Sequence, residues 1–192
     1  MPESPPILLP DAAKLAAARD RLAGRRAELG LAADAMAIGL SWRSGNAEFG
    51  AHKSAPLADW APILRRPGLV FVSVQYGDTA AELASLETET GFRIWQDAAV
   101  DPLRDMDAAA AQFAALDLFI TVSNTAAHLA GGLGRPTWLL LPSPGPGLLW
   151  YWGVAGEGVS FYPSLRCFRQ ETPGDWQGPI AAAAANLADF MG

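Results

Sequence analysis

The chain has 192 residues, which suffice for one domain with a hydrophobic core and are too few for two ordinary domains. Hydrophobic residues make up 51% of the sequence and charged residues 18%, as in a typical globular protein. No apolar run approaches the roughly 20 residues that cross a bilayer, and no signal-peptide pattern follows Met1. We therefore expect a cytoplasmic protein without a membrane span.

The charge of the chain argues against one large class of partner. A net charge of -6 disfavours nucleic-acid binding, because phosphate backbones are held mainly by clustered Lys and Arg. An anionic ligand would need a local positive site, and the only lysines are Lys14 and Lys53. A single cysteine, Cys167, excludes an internal disulfide, and no Cys or His pair has the spacing of metal ligands. We expect no bound metal.

The first part of the chain is predicted to differ from the rest. Residues 1–10 are rich in proline and are predicted to form an arm, and residues 11–29 have the composition of an exposed helix. Leu15, Ala18 and Leu22 recur in that segment at helical spacing. We therefore divide the chain into an N-terminal arm with a connecting helix, residues 1–35, and one domain, residues 36–192.

From Ala35 onward, short apolar runs alternate with amphipathic segments. In chain order they predict a strand over 37–42, a helix over 57–65, a strand over 69–74, a helix over 79–88, a short strand over 92–95, a helix over 105–116, a strand over 118–122, a helix over 126–133 and a strand over 137–141. A loop rich in Gly, Pro and Trp follows, then an edge strand over 166–169 and a helix over 176–190. This alternation predicts an α/β fold, a Rossmann-like parallel sheet with helices on both faces.

Ligands of such folds bind at the carboxyl ends of the strands. Four loops are predicted to meet there: residues 41–54, 75–78, 96–105 and 123–127. The first of them carries Arg43, His52, Lys53 and Ser54 among flexible glycines, a set that suits the neutralisation of a phosphate or carboxylate. A solvated loop without a ligand is the alternative interpretation, and the residues alone leave both open.

The turn after the strand predicted over 118–122 is the second candidate. Asn124 and Thr125 can cap the helix that follows, and the N–H groups near Ala126 lie at the positive end of its dipole. A helix N-terminus in this position often holds a phosphate, although capping alone would explain the residues. His128 lies one turn into the helix and is either a catalytic base or a packed side chain.

Gln75, Tyr76 and Gly77 follow the second long strand, where Tyr76 can stack on a base or sugar or simply pack at the rim of the cleft. Four aromatic residues of the C-terminal third are mostly interpreted as core packing: Trp150, Trp152, Tyr162 and Trp176. The sequence lacks G-x-G-x-x-G, G-x-x-x-x-G-K-[ST] and G-x-S-x-G. These absences disfavour NAD enzymes, P-loop NTPases and α/β-hydrolases.

Several blocks of the sequence carry a resemblance to a known family. They are, in order, GLSWRSGN (39–46), HKSAPL (52–57), PGLVFVSVQYGD (67–78), DLFITVSNTAAHLAGGLGRPTWLLLP (117–142) and the segment from WYWG to GDW (150–176). Together they resemble the C-terminal glycosyltransferase-like domain that follows tetratricopeptide repeats in bacterial proteins. This family is related to the heptosyltransferases of glycosyltransferase family 9 and more distantly to O-GlcNAc transferase. The resemblance covers about residues 36–190.

The resemblance implies the C-terminal half of a GT-B fold, which binds a nucleotide-sugar donor. Lys53 matches a lysine that contacts the donor diphosphate, and His128 matches the histidine of a T-x-x-H pattern, so both are candidate catalytic residues. The donor-binding candidates are Arg43, Ser54, Gln75, Tyr76, Gly77, Asn124, Thr125 and Ala126. No metal and no cofactor is implied, because the nucleotide sugar is the substrate and cationic side chains stabilise the departing diphosphate.

In GT-B enzymes the acceptor site, and often the base, belong to an N-terminal half that these residues do not contain. The sequence leaves two functions open. One is the donor-binding domain of a glycosyltransferase, completed by an N-terminal half, a partner or a second copy. The other is a non-catalytic nucleotide-binding or protein-interaction module. The sugar, the nucleobase and the acceptor are not identified by the sequence.

Overall fold

A computed structural model describes residues 6–145, 147–156 and 161–191. The strands are β1 (Ala37–Ser41), β2 (Val70–Ser73), β3 (Leu118–Val122), β4 (Thr137–Leu141) and β5 (Leu165–Arg169). The helices are α1 (Ala12–Glu28), α2 (Ala61–Leu64), α3 (Ala80–Thr90), α4 (Met106–Ala114), α5 (Thr125–Gly132) and α6 (Gln177–Phe190), with short 3-10 turns at Ala51–Lys53, Leu57–Trp60 and Trp150–Trp152.

All five strands are parallel and pair in the order β2-β1-β3-β4-β5. Every residue of β1 to β4 is buried, because helices cover both faces of the sheet. In β5 only part of the strand is buried, with Arg166 and Arg169 half-exposed, as expected at an edge. The predicted α/β fold with a Rossmann-like parallel sheet is therefore confirmed.

Alternate residues of the strands face opposite sides of the sheet, and among the described residues their apolar side chains belong to three clusters, one on β4 and β5 with Trp152. Ile38 and Leu40 of β1 point to the face where α2, α3 and α6 pack through Ile63, Leu86 and Ile180. The opposite face carries α1, α4 and α5, whose apolar side chains join Ala37, Val70 and Phe119 in a second cluster. This period of two along the strands is why a continuous apolar run can serve both faces of one sheet.

Helix α1 packs on the same face as α4 and buries Ala18 and Leu22. Its N-terminus is capped by the side chain of Asp11, which accepts a hydrogen bond from the Lys14 N–H at 2.8 Å. Two ion pairs fix the helix to the loops beyond β2: Arg21 with Asp97, and Lys14 with Asp105. The Arg21 pair holds one wall of the cleft described below.

One glycine is required by close packing. A Cβ added at Gly39 in β1 would lie 2.6 Å from Cε1 of Phe119 on β3, a distance at which the ring or the strand has to move. Phe119 in turn stacks on Phe113 of α4, with 4.7 Å between ring centroids. Gly39 therefore gives α4 the room to approach the sheet.

Two predicted elements differ clearly from the observed ones, whereas the bounds of the others agree to within two residues. The helix expected over 57–65 begins as a 3-10 turn and becomes α2 only at Ala61, since Pro62 favours a helix start and lacks an N–H. The strand expected over 92–95 is reduced to one bridge between Trp95 and Val72. Asp97, two residues later, binds Arg21 and the Ala99 N–H, which turns the chain away from β2.

Within the described part of the chain, the helices are all too short or too polar to span a membrane. The same residues contain no cluster of His, Cys, Asp and Glu side chains that could hold a metal ion.

Candidate functional site

A cleft lies at the carboxyl ends of the strands. A cavity of about 480 Å³ is lined by residues of two predicted loops, 75–78 and 96–105, together with α4. A second cavity of about 270 Å³ shares Val74, Pro102, Leu103 and Phe113 with the first and extends to Thr125 and Ala126 at the start of α5. We call the two cavities together the cleft. Three of the four loops expected at this edge line it.

Gln75 connects the fourth loop to the cleft. Its carboxamide Oε1 accepts hydrogen bonds from the Ser41 hydroxyl at 3.0 Å and from the N–H groups of Trp42 at 3.1 Å and Arg43 at 3.0 Å. The side chain is buried, and the contacts join the ends of β1 and β2. Gln75 therefore positions the loop after β1, and its predicted contact with a ligand stays a prediction.

Asn124 makes the equivalent connection between β1 and β3. Its Nδ2 donates to Ser41 Oγ at 2.7 Å and to the Arg43 carbonyl at 3.0 Å. Its Oδ1 accepts from the Ala126 N–H at 3.0 Å and so caps α5. The Ala126 N–H that was predicted to face a phosphate is thus held by Asn124, whereas the Thr125 side chain is exposed to the cleft.

Three other predicted donor-binding residues take part in protein contacts at the rim. The Arg43 guanidinium donates to Glu82 at 3.0 Å and to the Asp78 carbonyl at 2.7 Å. Gly77, next to Asp78, has a φ of 82°, which favours glycine. The Tyr76 hydroxyl accepts from the Gly45 N–H at 2.5 Å while its ring lines the second cavity.

Ser54 accepts from the Ser44 N–H at 3.0 Å and donates to the Gly50 carbonyl at 2.7 Å. These bonds close the loop that carries Lys53. Arg43, Tyr76 and Ser54 therefore order the rim, and their direct contact with a ligand stays a prediction.

Lys53 is a buried residue, and no counter-ion for it lies in the described part of the chain. Its relative exposure is 5%, and its ammonium has neither a hydrogen bond nor an ion pair with any residue that the structure describes. Burial lowers the pKa of the side chain, because desolvation disfavours the charged form. Its stem lies against the loop after β4, where a Cβ added at Gly147 would be 3.1 Å from Lys53 Cγ. Such a group is a candidate for binding an anion.

His128 lies near this ammonium on the second turn of α5. Burial lowers the pKa of His128, and the charge of Lys53 lowers it further, so the imidazole is neutral at pH 7. The ring stacks on Trp152, with 4.7 Å between centroids, and Nδ1 lies 3.2 Å from the Tyr162 hydroxyl. The structure thus brings the two predicted catalytic residues together.

The aromatic residues of the C-terminal third divide into two groups. Trp152 and Trp176 are buried, as predicted, and the indole N–H of Trp152 donates to Ser123 Oγ at 2.7 Å beside α5. Trp150 is 80% exposed, so the core-packing interpretation is wrong for this residue. Trp150, at the start of the 3-10 turn, is exposed to solvent, whereas Trp152, at its end, is buried against the sheet.

The charges at the two ends of the site differ in sign. Asp78, Asp97 and Asp101 line the 480 Å³ cavity, where Arg21 pairs with Asp97 and Arg104 pairs with Asp101. The positive end of the α5 dipole lies at the 270 Å³ cavity, and Lys53 lies near His128 of the same helix. A ligand with one anionic end and one neutral, hydrogen-bonding end matches this polarity.

Sequence reasoning missed two polar residues of the cavity, Ser73 and Gln112. The hydroxyl of Ser73 is buried and has no hydrogen-bond partner among the described residues. Gln112 lies on α4 and is also buried. The sequence did carry one signal for Gln112, because a glutamine stands inside the alanine-rich stretch of the helix predicted over 105–116.

The fold belongs to a known class. The sheet and its helices match solved glycosyltransferases of the GT-B type at identities that establish the fold alone. One is E. coli ADP-heptose LPS heptosyltransferase II, with a TM-score of 0.59 and 17% identity, and the match covers 96% of this chain and 53% of that chain. Another is the family 9 glycosyltransferase of Veillonella parvula, with a TM-score of 0.59 and 14% identity, and the match covers 95% of this chain and 51% of that chain. A third is E. coli heptosyltransferase WaaC with ADP, with a TM-score of 0.54 and 17% identity, and the match covers 85% of this chain and 46% of that chain. The chain spans about half of each.

A relative at higher identity is Protein FlbA of *Caulobacter vibrioides*, which is 38% identical over 173 residues. The match covers 88% of this chain and 28% of FlbA, so the chain spans little more than a quarter of that protein. No protein-family model matches the sequence.

Proposed function

We propose that the chain is the donor-binding domain of a metal-independent glycosyltransferase and binds a nucleoside-diphosphate sugar in the cleft. The observation that carries the proposal is the burial of Lys53 without a partner among the described residues. The Lys53 ammonium has no counter-charge among the described residues, and a bound diphosphate would supply one. The fold shared with glycosyltransferases supports this ligand class.

The start of α5 provides the second positive element. Its dipole favours an anion at the N-terminal end, where the exposed Thr125 hydroxyl can donate a hydrogen bond. The charge of Lys53 lowers the pKa of His128 on this helix, so the loop after β1 lies near α5. In the proposed complex, Lys53 and the dipole hold the diphosphate from two sides.

The same groups can act on the reaction without a metal ion. As the sugar leaves, negative charge grows on the diphosphate, and the Lys53 ammonium stabilises it in a site from which water is partly excluded. Neutral His128 can donate to a phosphate oxygen or accept a proton from a sugar hydroxyl, depending on its tautomer. We assign both residues to catalysis in the complete enzyme.

We further propose that the acceptor site lies outside this chain. The solved glycosyltransferases that share the fold are about twice as long as the matched region. Large apolar side chains at the mouth of the cleft, such as Leu103 with 72% exposure, suggest a surface that another domain covers. The remaining half of a longer protein, a partner or a second copy would supply that domain.

The same exposed apolar residues favour a second candidate, a nucleotide-binding or interaction module that catalyses no transfer. The two candidates share the nucleotide site and differ in turnover. Release of free sugar or transfer to an acceptor by a completed protein would distinguish the enzyme from the module.

A thermal-shift panel tests the donor site with UDP, GDP, ADP and CMP. A nucleotide at 100 times its dissociation constant should stabilise the chain by about 2.7 kcal/mol, or about 5 to 10 °C for a domain of this size. We expect a shift with at least one diphosphate and a loss of that shift in Lys53→Met. No shift with any of the nucleotides, from a folded sample, would contradict the proposal.

Lys14→Met is the matched control, because Lys14 is the other lysine and is already paired with Asp105. It should retain the nucleotide shift. Lys53→Met without nucleotide should unfold at the native temperature or above, since the substitution removes an unpaired buried charge and keeps a side chain of similar length. This result would separate loss of binding from loss of folding.

A further inference from the structure

We infer that Gln112 reads the nucleobase of the bound nucleotide, an inference that rests on the proposed function. Gln112 lies on α4 with 6% exposure and lines the 480 Å³ cavity. Its carboxamide has no hydrogen bond to any residue within the described ranges. Gln75, the other buried glutamine of the cavity, is by contrast held by the loop after β1.

Gln112 is the polar residue in a buried apolar stretch of α4, beside Ala109, Ala110, Ala111 and Phe113. Its amide nitrogen and oxygen are not fully enclosed by protein, so they are accessible in the cavity that Gln112 lines. The amide is therefore free to bind a ligand there. A ligand that enters the cavity can satisfy both ends of the amide.

The lining of the cavity suits a flat ring with a polar edge. Val74, Phe113, Pro102 and Leu103 provide apolar walls, and Gln112 and Ser73 add polar groups. Nucleobases combine a flat apolar face with donors and acceptors at the edge, and proteins read that edge through amides.

The position of the cavity sets the direction of the nucleotide. The 270 Å³ cavity continues from the same four apolar residues to Thr125 at the start of α5. A diphosphate at α5 and Lys53 therefore leaves the ribose in the smaller cavity and the base beside Gln112. The Asp78 carboxylate, which forms no ion pair within the described residues, disfavours the opposite direction, because it would face the phosphates.

The chemistry of the amide gives a sharp test. A carboxamide offers one acceptor beside one donor, as when Gln pairs with the N6 and N7 edge of adenine. A glutamate at the same position only accepts hydrogen bonds. Among the common bases, guanine presents two adjacent donors, N1–H and N2–H, so Gln112→Glu should shift preference toward GDP.

The experiment is calorimetric titration of the full chain with ADP, GDP, UDP and CDP. In Gln112→Glu we expect the affinity for GDP, divided by the mean affinity for the other three, to rise about tenfold or more over its native value. The added negative charge repels all four diphosphates alike and cancels in this ratio. Gln177→Glu is the matched control, since Gln177 is an exposed glutamine at the start of α6 that does not line the cavity, and it should keep the native ratio.

An unchanged ratio in folded Gln112→Glu would overturn the inference. If that variant does not fold, Gln112→Leu replaces it, and the four affinities should then converge to within about threefold. If the four affinities of Gln112→Leu differed as much as those of the native chain, the proposed role of Gln112 would be overturned. The proposed donor site would not be affected by that result. If the native chain bound none of the four diphosphates, the proposed function itself would fail, and this inference with it.

Discussion

The Lys53 ammonium lies close enough to the His128 imidazole to lower the pKa of the histidine, although Lys53 belongs to the loop after β1 and His128 to helix α5. Burial lowers the pKa of both groups as well. The fold therefore brings a cation without a described counter-ion next to a histidine that stays neutral. This pair is the basis of the proposed donor site.

The first prediction concerns that electrostatic coupling. Lys53→Met should raise the pKa of His128, because it removes a nearby positive charge that disfavours the imidazolium. Titration of the histidine ring by NMR measures the change. Lys14→Met should leave the His128 pKa at its native value, and the idea of a close pair fails if the two variants behave alike.

The second prediction concerns stability in acid. The folded pKa of His128 is lowered, so its contribution is fully present above the unfolded pKa, about 6.5, and is lost as the pH falls toward the folded pKa. Between about pH 7 and about pH 5, the melting temperature should therefore fall more steeply in the native chain than in His128→Gln. His52→Gln, at an exposed histidine, should follow the native curve. Equal slopes for all three proteins would contradict this assignment.

The third prediction concerns Asn124, whose side chain both caps α5 and binds the loop after β1. Asn124→Ala should lower the free energy of unfolding by about 2 kcal/mol, since the cap and two buried hydrogen bonds are lost. Asn124→Asp keeps an acceptor for the cap but places a carboxylate oxygen against the Arg43 carbonyl, where the amide nitrogen donates in the native chain. Most of the loss in unfolding free energy should therefore remain. Urea denaturation measures both.

Asn46→Ala is the control for Asn124. Asn46 also accepts from backbone N–H groups, those of Glu48 and Phe49, but in an exposed turn. Its replacement should cost less than about 1 kcal/mol. A loss at Asn46 as large as that at Asn124 would show that the connection between β1 and β3 has no special weight.

The fourth prediction compares two glycines. Gly39→Ala should destabilise the chain by about 1 to 3 kcal/mol, because the new methyl group would overlap Phe119 in the core. Gly24→Ala should instead stabilise it by up to about 1 kcal/mol, since Gly24 lies in α1 with open space around its Cα. Chemical denaturation of both variants would show opposite signs; a neutral Gly39→Ala would contradict the packing argument.

Much of the fold was predictable from the sequence, because the apolar runs of the strands are buried on both sides and leave a strong pattern. The strand over 118–122 and the strand over 137–141 are observed with the predicted bounds. The strand predicted over 92–95 is not observed beyond one bridge, because its pairing is limited by the ion pair of Arg21 with Asp97, which joins distant parts of the chain. Long-range contacts of this kind leave no local pattern.

The candidate site was predictable to a smaller degree. The helix-capping side chain of Asn124 and the lysine in the loop after β1, Lys53, are local signals. The structure shows a cap at Asn124 and a buried lysine at position 53. The roles of Gln75 in joining strands and of Gln112 in lining the cavity depend on which loops and helices meet. Sequence spacing does not encode those contacts directly.

The measurement that tests the central claim most directly is the affinity of the chain for a nucleoside diphosphate, its monophosphate and the free nucleoside. Calorimetry on the native chain and on Lys53→Met gives the six values. The account predicts that the native chain prefers the diphosphate over the nucleoside and that Lys53→Met reduces this preference by about tenfold to a hundredfold, the value of a charged hydrogen bond. The same preference in both proteins would contradict the claim that Lys53 holds the diphosphate.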